Sequence, residues 1–130
     1  MNDLTQSLNI SASGMRSQST RLRYVSENIS NVDTPGFRRK MTAFEPQQVE
    51  GRFTGGVQTA PARLDQSQLP QVFDPSHPLA DEKGNYAGSN VNMLVELSDA
   101  KQAQRSYEAN LKMFDQARQM SSSLLELLRR

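Results

Sequence analysis

Asp33-Thr34-Pro35-Gly36-Phe37 decides how this chain is built. Proline presets its own φ at about −65° and disfavours helical geometry at Thr34 before it. Gly36 then supplies the positive φ that a type II turn needs at its third residue. A helix arriving from the N-terminus therefore stops here, and the chain leaves in a new direction. Upstream, Leu8, Met15, Leu22 and Ile29 recur every seven residues, with Leu4, Val25 and Val32 between them. That spacing predicts a helix from about Leu4 to Asn31 with one narrow apolar seam. Asp3 is the expected N-cap, with Gln6 three residues on. The helix is intrinsically weak, because Ser7, Ser11, Ser13, Gly14, Ser17 and Ser19 lie in it. Gly14 alone costs about 1 kcal/mol against alanine. Small residues also admit a close neighbour, so this helix is expected to order on assembly.

Downstream the chain changes character. Pro46, Pro61, Pro70, Pro75 and Pro78 alternate with Gly51, Gly55, Gly56, Gly84 and Gly88, and no helix runs through such punctuation. Arg52 to Thr59 reads as a hairpin turning at Gly55-Gly56. Thr42-Ala43-Phe44 and Gln71-Val72-Phe73 are candidate short strands, Asp65 to Gln71 a mobile loop, and Arg38-Arg39-Lys40 a solvated charge run. From Asn90 or Asn92, either of which can cap a helix, a second apolar lattice begins. Met93, Leu97, Ala100, Tyr107, Leu111, Phe114, Leu125 and Leu128 follow a 4-3 spacing, interrupted by Gln104, Arg118 and Ser121. The expected fold is mainly α: N- and C-terminal helices packed as a coiled coil, with a small irregular β-hairpin insert. The expected divisions are 1–36, 37–90 and 91–130.

Composition narrows the function. Of 130 residues, 35% are hydrophobic and none is Trp, and mean hydropathy is −0.68. A lone core would be thin, so seams at both ends call for partners. The net charge of +1 argues against nucleic acid as a partner. No apolar run is long enough for direct membrane insertion, and the first residues lack the pattern of a cleaved signal peptide. Without cysteine there are no disulfides or thiolate metal sites. The single histidine, His77, sits between prolines in a turn and makes a poor catalytic base. Asp74, Asp81 and Glu82 match no calcium loop, and Gly55-Gly56 is followed by no Gly-Lys-Ser/Thr. No enzyme activity, metal or cofactor is expected.

Ser26-Glu27-Asn28-Ile29-Ser30-Asn31-Val32-Asp33-Thr34-Pro35-Gly36-Phe37 resembles the signature that closes the N-terminal helix of the flagellar rod and hook proteins. Arg105-Ser106-Tyr107-Glu108-Ala109-Asn110 is similar to an element of their C-terminal helix. Phe73 to Gly84 is similar to a segment typical of one of the family's two proximal rod subunits; the other, FlgB, usually lacks the Tyr-x-Ala-Asn element. The chain departs from the family at 84–92, where Gly84-Asn85-Tyr86-Ala87-Gly88-Ser89-Asn90-Val91-Asn92 replaces a stretch that commonly carries proline.

The resemblance implies a structural subunit of the proximal rod in the flagellar basal body. It would stack helically through its terminal helices into a periplasmic shaft that transmits torque and encloses the export channel. The implied partners are further copies of itself, the rod subunits FlgB, FlgF and FlgG, the adaptor FliE, and the type III export apparatus, which passes the chain without a cleaved signal. The residues expected to carry assembly are Leu8, Met15, Leu22, Val25, Asn28, Ile29, Asn31, Thr34, Gly36 and Phe37 on the first side. On the second they are Leu97, Ala100, Tyr107, Asn110, Leu111, Phe114, Leu125 and Leu128. The side-chain amides of Asn28 and Asn31 suit the carbonyls left open where a helix ends. A secreted coiled-coil adaptor or export chaperone would share the seams but has no need of the Thr-Pro-Gly corner.

Overall fold

The computed structural model describes residues 3–129. The chain runs α1 (Asp3–Ser30), β1 (Lys40–Met41), β2 (Phe44–Val49), β3 (Arg52–Thr59), β4 (Arg63–Leu64), β5 (Gln71–Phe73), β6 (Asn85–Ala87) and α2 (Met93–Leu128). The helices pack against each other, and the strands between them form three antiparallel pairs, β1–β4, β2–β3 and β5–β6. Asp3 is helical rather than a cap, and the residue before it lies outside the described residues. Asn92 is the cap of α2: its side chain accepts from the N–H groups of Leu94 (3.0 Å) and Val95 (3.4 Å).

The corner after α1 forms as its sequence dictates. Phe37 N–H donates to the Thr34 carbonyl at 3.2 Å, and Gly36 has φ +74°, which is a type II turn. The hairpin lies elsewhere than the glycine pair suggested. β2 and β3 are joined by Glu50-Gly51, with φ +54° and +78°, the two-residue turn whose twist suits a hairpin. Gly55 and Gly56 stand inside β3 because that strand lies directly on α1. A Cβ on Gly56 would come within 2.6 Å of Ser13 Oγ, and one on Gly55 within 3.2 Å of Ile10 Cδ1. Val57 N–H donates to Ser13 Oγ (3.0 Å), and Ser17 Oγ donates to the Val57 carbonyl (3.3 Å). The serines that weaken α1 as an isolated helix thus bond a strand to it. Of the two shorter candidate strands, 71–73 forms β5, whereas Thr42 and Ala43 lie outside any strand and Phe44 opens β2.

The loop from Asp65 is tethered rather than free. Asp65 N–H donates to the Arg39 carbonyl (2.9 Å), and Arg38 Nη1 donates to the carbonyls of Asp65 (3.1 Å) and Ser67 (2.9 Å). The Arg38-Arg39-Lys40 run is therefore turned inward. Among the described residues the buried hydrophobic side chains are Val25, Ala103 and Ala117. So small an apolar core leaves much of the internal cohesion to hydrogen bonds and ion pairs.

Candidate assembly faces and the corner between them

Both helix ends meet at the corner. Asn28 is 1% exposed and uses its whole amide: Oδ1 accepts from Lys40 N–H (2.8 Å), while Nδ2 donates to the Lys40 carbonyl (3.0 Å) and to Glu96 Oε2 (3.2 Å). It therefore pairs with β1 as another strand would, rather than capping its own helix. Asn31 Nδ2 donates to the Glu27 carbonyl at 2.8 Å, a carbonyl that also accepts the Asn31 N–H at 3.2 Å and so is not one left open. Thr34 Oγ1 donates to Asn31 Oδ1 at 3.0 Å, continuing the chain of bonds into the turn.

Glu96 is wholly buried, and a buried carboxylate needs charged and hydrogen-bonded company. Arg39 Nε supplies it at 2.7 Å. The same guanidinium reaches Asp99 (3.6 Å) and Asp65 (3.7 Å), and Arg21 reaches Asp99 at 3.3 Å. Lys40 pairs with Glu27 at 2.6 Å. Hydrogen bonds from the N–H and the hydroxyl of Ser67, with Arg39 alongside, hold the Asp65 carboxyl below the usual carboxylate range. Residues 87–90 close the other side. Gly36 N–H donates to the carbonyls of Ala87 and Gly88, the Ser89 hydroxyl donates to the Val32 carbonyl, and Arg39 N–H donates to Asn90 Oδ1. Asn90 thus ties the corner together, leaving the cap of α2 to Asn92.

The seam between the helices consists of small and polar residues. Ser11, Gly14, Val25 and Asn28 on α1 are buried, and so are Glu96, Ala103 and Ala117 on α2. Gly14 marks the closest approach, since a Cβ there would meet the Asn110 side chain at 2.6 Å. Glu96, Ala103, Asn110 and Ala117 are seven residues apart, one position before the heptad Leu97, Gln104, Leu111, Arg118, Leu125. The contact therefore follows a heptad spacing whose occupants are small or polar, not the large apolar residues.

The apolar residues flank this seam. At about 100° per residue, Leu8, Met15, Leu22 and Ile29 stand roughly a quarter turn from the buried stripe of α1. Ala100, Tyr107, Leu111 and Phe114 stand roughly a quarter turn, in the same rotational sense, from that of α2. Because the helices are antiparallel, both rotations lead to one side of the pair. Ser13 and Ser17, which hold β3, are turned the opposite way, so the strands lie on the other side. The result is a two-helix layer with the insert on one face and an apolar stripe along the other.

Of the expected assembly residues, Val25 and Asn28 are buried within the chain. Leu8, Met15, Leu22, Ile29, Asn31, Phe37, Ala100, Asn110 and Phe114 are half-buried, whereas Thr34, Gly36, Leu97, Tyr107, Leu111, Leu125 and Leu128 are exposed. Reading the apolar pattern alone misses Arg21, Arg39, Glu96 and Asp99. Their only trace in the sequence is Glu96 leading a heptad of small residues.

A thin internal core, a helix pair joined by small residues and an apolar stripe left half-exposed are features of an assembly subunit. Comparison with known proteins gives this class its family. Residues 8–38 match the family described as flagella basal body rod protein, and residues 82–127 match the C-terminal region of the flagellar basal body rod FlgEFG proteins. The flagellar basal-body rod protein FlgC of Agrobacterium fabrum is 38% identical, across 99% of this chain and 98% of that protein. FlgC of Escherichia coli O6:H1 is 32% identical across 91% and 92%, and FlgC of Borreliella burgdorferi 30% across 96% and 97%. The chain belongs to the FlgC family and is a structural subunit of the flagellar basal-body rod. Among the described residues, no helix is long and apolar enough to cross a membrane.

Proposed function

We propose that this subunit occupies the proximal rod and stacks helically through the apolar face of its helix pair, so that the terminal helices line the export channel and the insert faces outward. The observation that carries this reading is the two-sided helix layer. Its insert face is satisfied by Asn28, Arg39, Ser13 and Ser17. Its other face holds Tyr107 at 36% and Leu111 at 40% exposed, with Leu22 and Met15 beside them in the layer. Full burial of one such side chain is worth about 1.5–3 kcal/mol, and repetition in an open array multiplies modest contacts into a stiff shaft.

The division into 1–36, 37–90 and 91–130 then separates two wall-forming ends from an outer insert. The expected neighbours are further copies, the rod subunits FlgB, FlgF and FlgG, and the adaptor FliE. The chain reaches them through the flagellar type III export apparatus. The test is Leu111→Asp in cells lacking the native chain. Export of the variant should persist while its amount in purified basal bodies and swimming motility fall to background. Normal basal bodies and motility would remove the apolar face from the interface.

A further inference from the structure

Between Asp65 and Asn85, side chains close the backbone by accepting the N–H two residues on. Asp65 accepts from Ser67 (2.8 Å), Asp74 from Ser76 (3.2 Å) and Asp81 from Lys83 (2.9 Å). His77 does the same with Nδ1, which accepts from Leu79 N–H at 3.1 Å. The chemistry of that acceptor is different. A carboxyl group keeps acceptor capacity when it gains a proton, whereas a protonated imidazole has two donors and no acceptor. Imidazole is also the ordinary side chain that changes charge between about pH 5 and 8. The Leu79 bond therefore requires a neutral ring with its proton on Nε2.

The ring is held from its other side by β6. It stacks on Tyr86, with centroids 4.0 Å apart and planes 17° from parallel. The His77 main chain is also engaged: its N–H donates to the Asp74 carbonyl (3.0 Å) and its carbonyl accepts from Ala80 N–H (3.0 Å). Tyr86 is thus the titratable group packed on the ring from another element. Within the ring's own segment, Asp74 Oδ1 accepts from the N–H and the hydroxyl of Ser76. Asp81 Oδ1 accepts from the N–H groups of Lys83 and Asn85, and Glu82 and Lys83 lie beyond it on the way into β6.

We propose that His77 is a proton-operated latch on the turn between β5 and β6, closed while the imidazole is neutral and released at Leu79 once Nδ1 is protonated. An aromatic face also attracts a cation, so the stack on Tyr86 persists and the opening is confined to residues 78–80. There the Leu79 N–H turns to water, and a side chain that is 63% exposed moves with it. The apolar surface of the insert thus changes with pH. The turn's contribution to stability is present above the titration of the imidazole and is lost as pH falls through it. The corner joins this hairpin through main-chain groups, the Gly36 N–H and the carbonyls of Ala87 and Gly88, and so stays closed over the same range.

The chain has a single histidine, so its imidazole is read by NMR without overlap. In the full chain at about pH 8, the Leu79 amide should be protected from exchange relative to an unstructured peptide, and Nδ1 should carry no proton. By about pH 5 that protection should fall several-fold, in step with the ring. The amides of Ser76 and Lys83, which rest on carboxylates, should keep theirs. His77→Asn offers an acceptor that does not titrate and should hold Leu79 protected at both ends of the range. His77→Phe keeps a ring for Tyr86 but no acceptor, and should leave Leu79 unprotected at both. An amide already unprotected at the higher pH, protection that does not change on acidification, protection in His77→Phe, or a pH response that survives in His77→Asn overturns the proposal.

Discussion

Gly36 stands at φ +74° with nothing within 4 Å of where a Cβ would be, so its requirement is conformational and not steric. An L-residue in this region costs roughly 1–2 kcal/mol, and a β-branched one more. Gly36→Val should therefore lower the unfolding free energy by about that much and cripple motility, while Gly36→Asn stays closer to the parent. Urea titration followed by circular dichroism checks the order of the three. Glu96 raises the opposite problem, a charge with no solvent at all. Removing one partner of a buried ion pair costs about 3–5 kcal/mol. Arg39→Ala, which strands the Glu96 carboxylate, should therefore destabilise the chain more than Glu96→Ala, which frees a partly exposed guanidinium. Equal midpoints for the two variants would contradict the burial argument. Gly36 was legible in the sequence because Thr-Pro-Gly admits few conformations. Glu96 was not, because an acid in the first turn of a helix is ordinary on dipole grounds alone.

At the scale of the elements, both helices were legible and the face that joins them was not. Heptad hydrophobicity marks a seam but does not say whether that seam closes inside the chain or between chains. Here the internal contact falls to Gly14, Ala103, Asn110 and Ala117, small enough to bring the backbones close. Gly14→Ala should destabilise by about 1–3 kcal/mol through overpacking against Asn110. Asn110→Ala should recover most of that loss, and a double-mutant cycle showing no coupling would contradict the packing. The hairpin was misplaced because Gly-Gly imitates a turn, whereas Glu50-Gly51 puts an uncommon residue at positive φ.

The 65–71 loop makes a pH prediction. Asp65 titrates below its unfolded value of about 3.9, so its contribution is present above that value and is lost as pH falls through the folded one. Amide exchange at Ser67 should accelerate on acidification through that window. In Asp65→Asn this acceleration should be absent.

At the scale of the whole molecule, α1 and α2 contain 28 and 36 residues. They share a core whose buried hydrophobic side chains, among the described residues, are one valine and two alanines. We propose that such a layer gains much of its order from neighbours. Circular dichroism of the dilute chain should show less helix than these spans and a rise on co-assembly with other rod subunits. Full helicity in a dilute monomer would contradict ordering on incorporation. The flagellar resemblance was legible from two short motifs, yet which side of the helix pair carries the insert required the positions of Ser13, Ser17 and Arg39, and the proposal that the other side meets a neighbour rests on them. A density map of the assembled basal body at side-chain resolution tests that assignment most directly. The account predicts Leu22, Tyr107 and Leu111 in van der Waals contact with adjacent subunits and the β1–β6 insert on the outer side. A map with those residues facing water, and the insert side of the helices forming the subunit contacts, would contradict it.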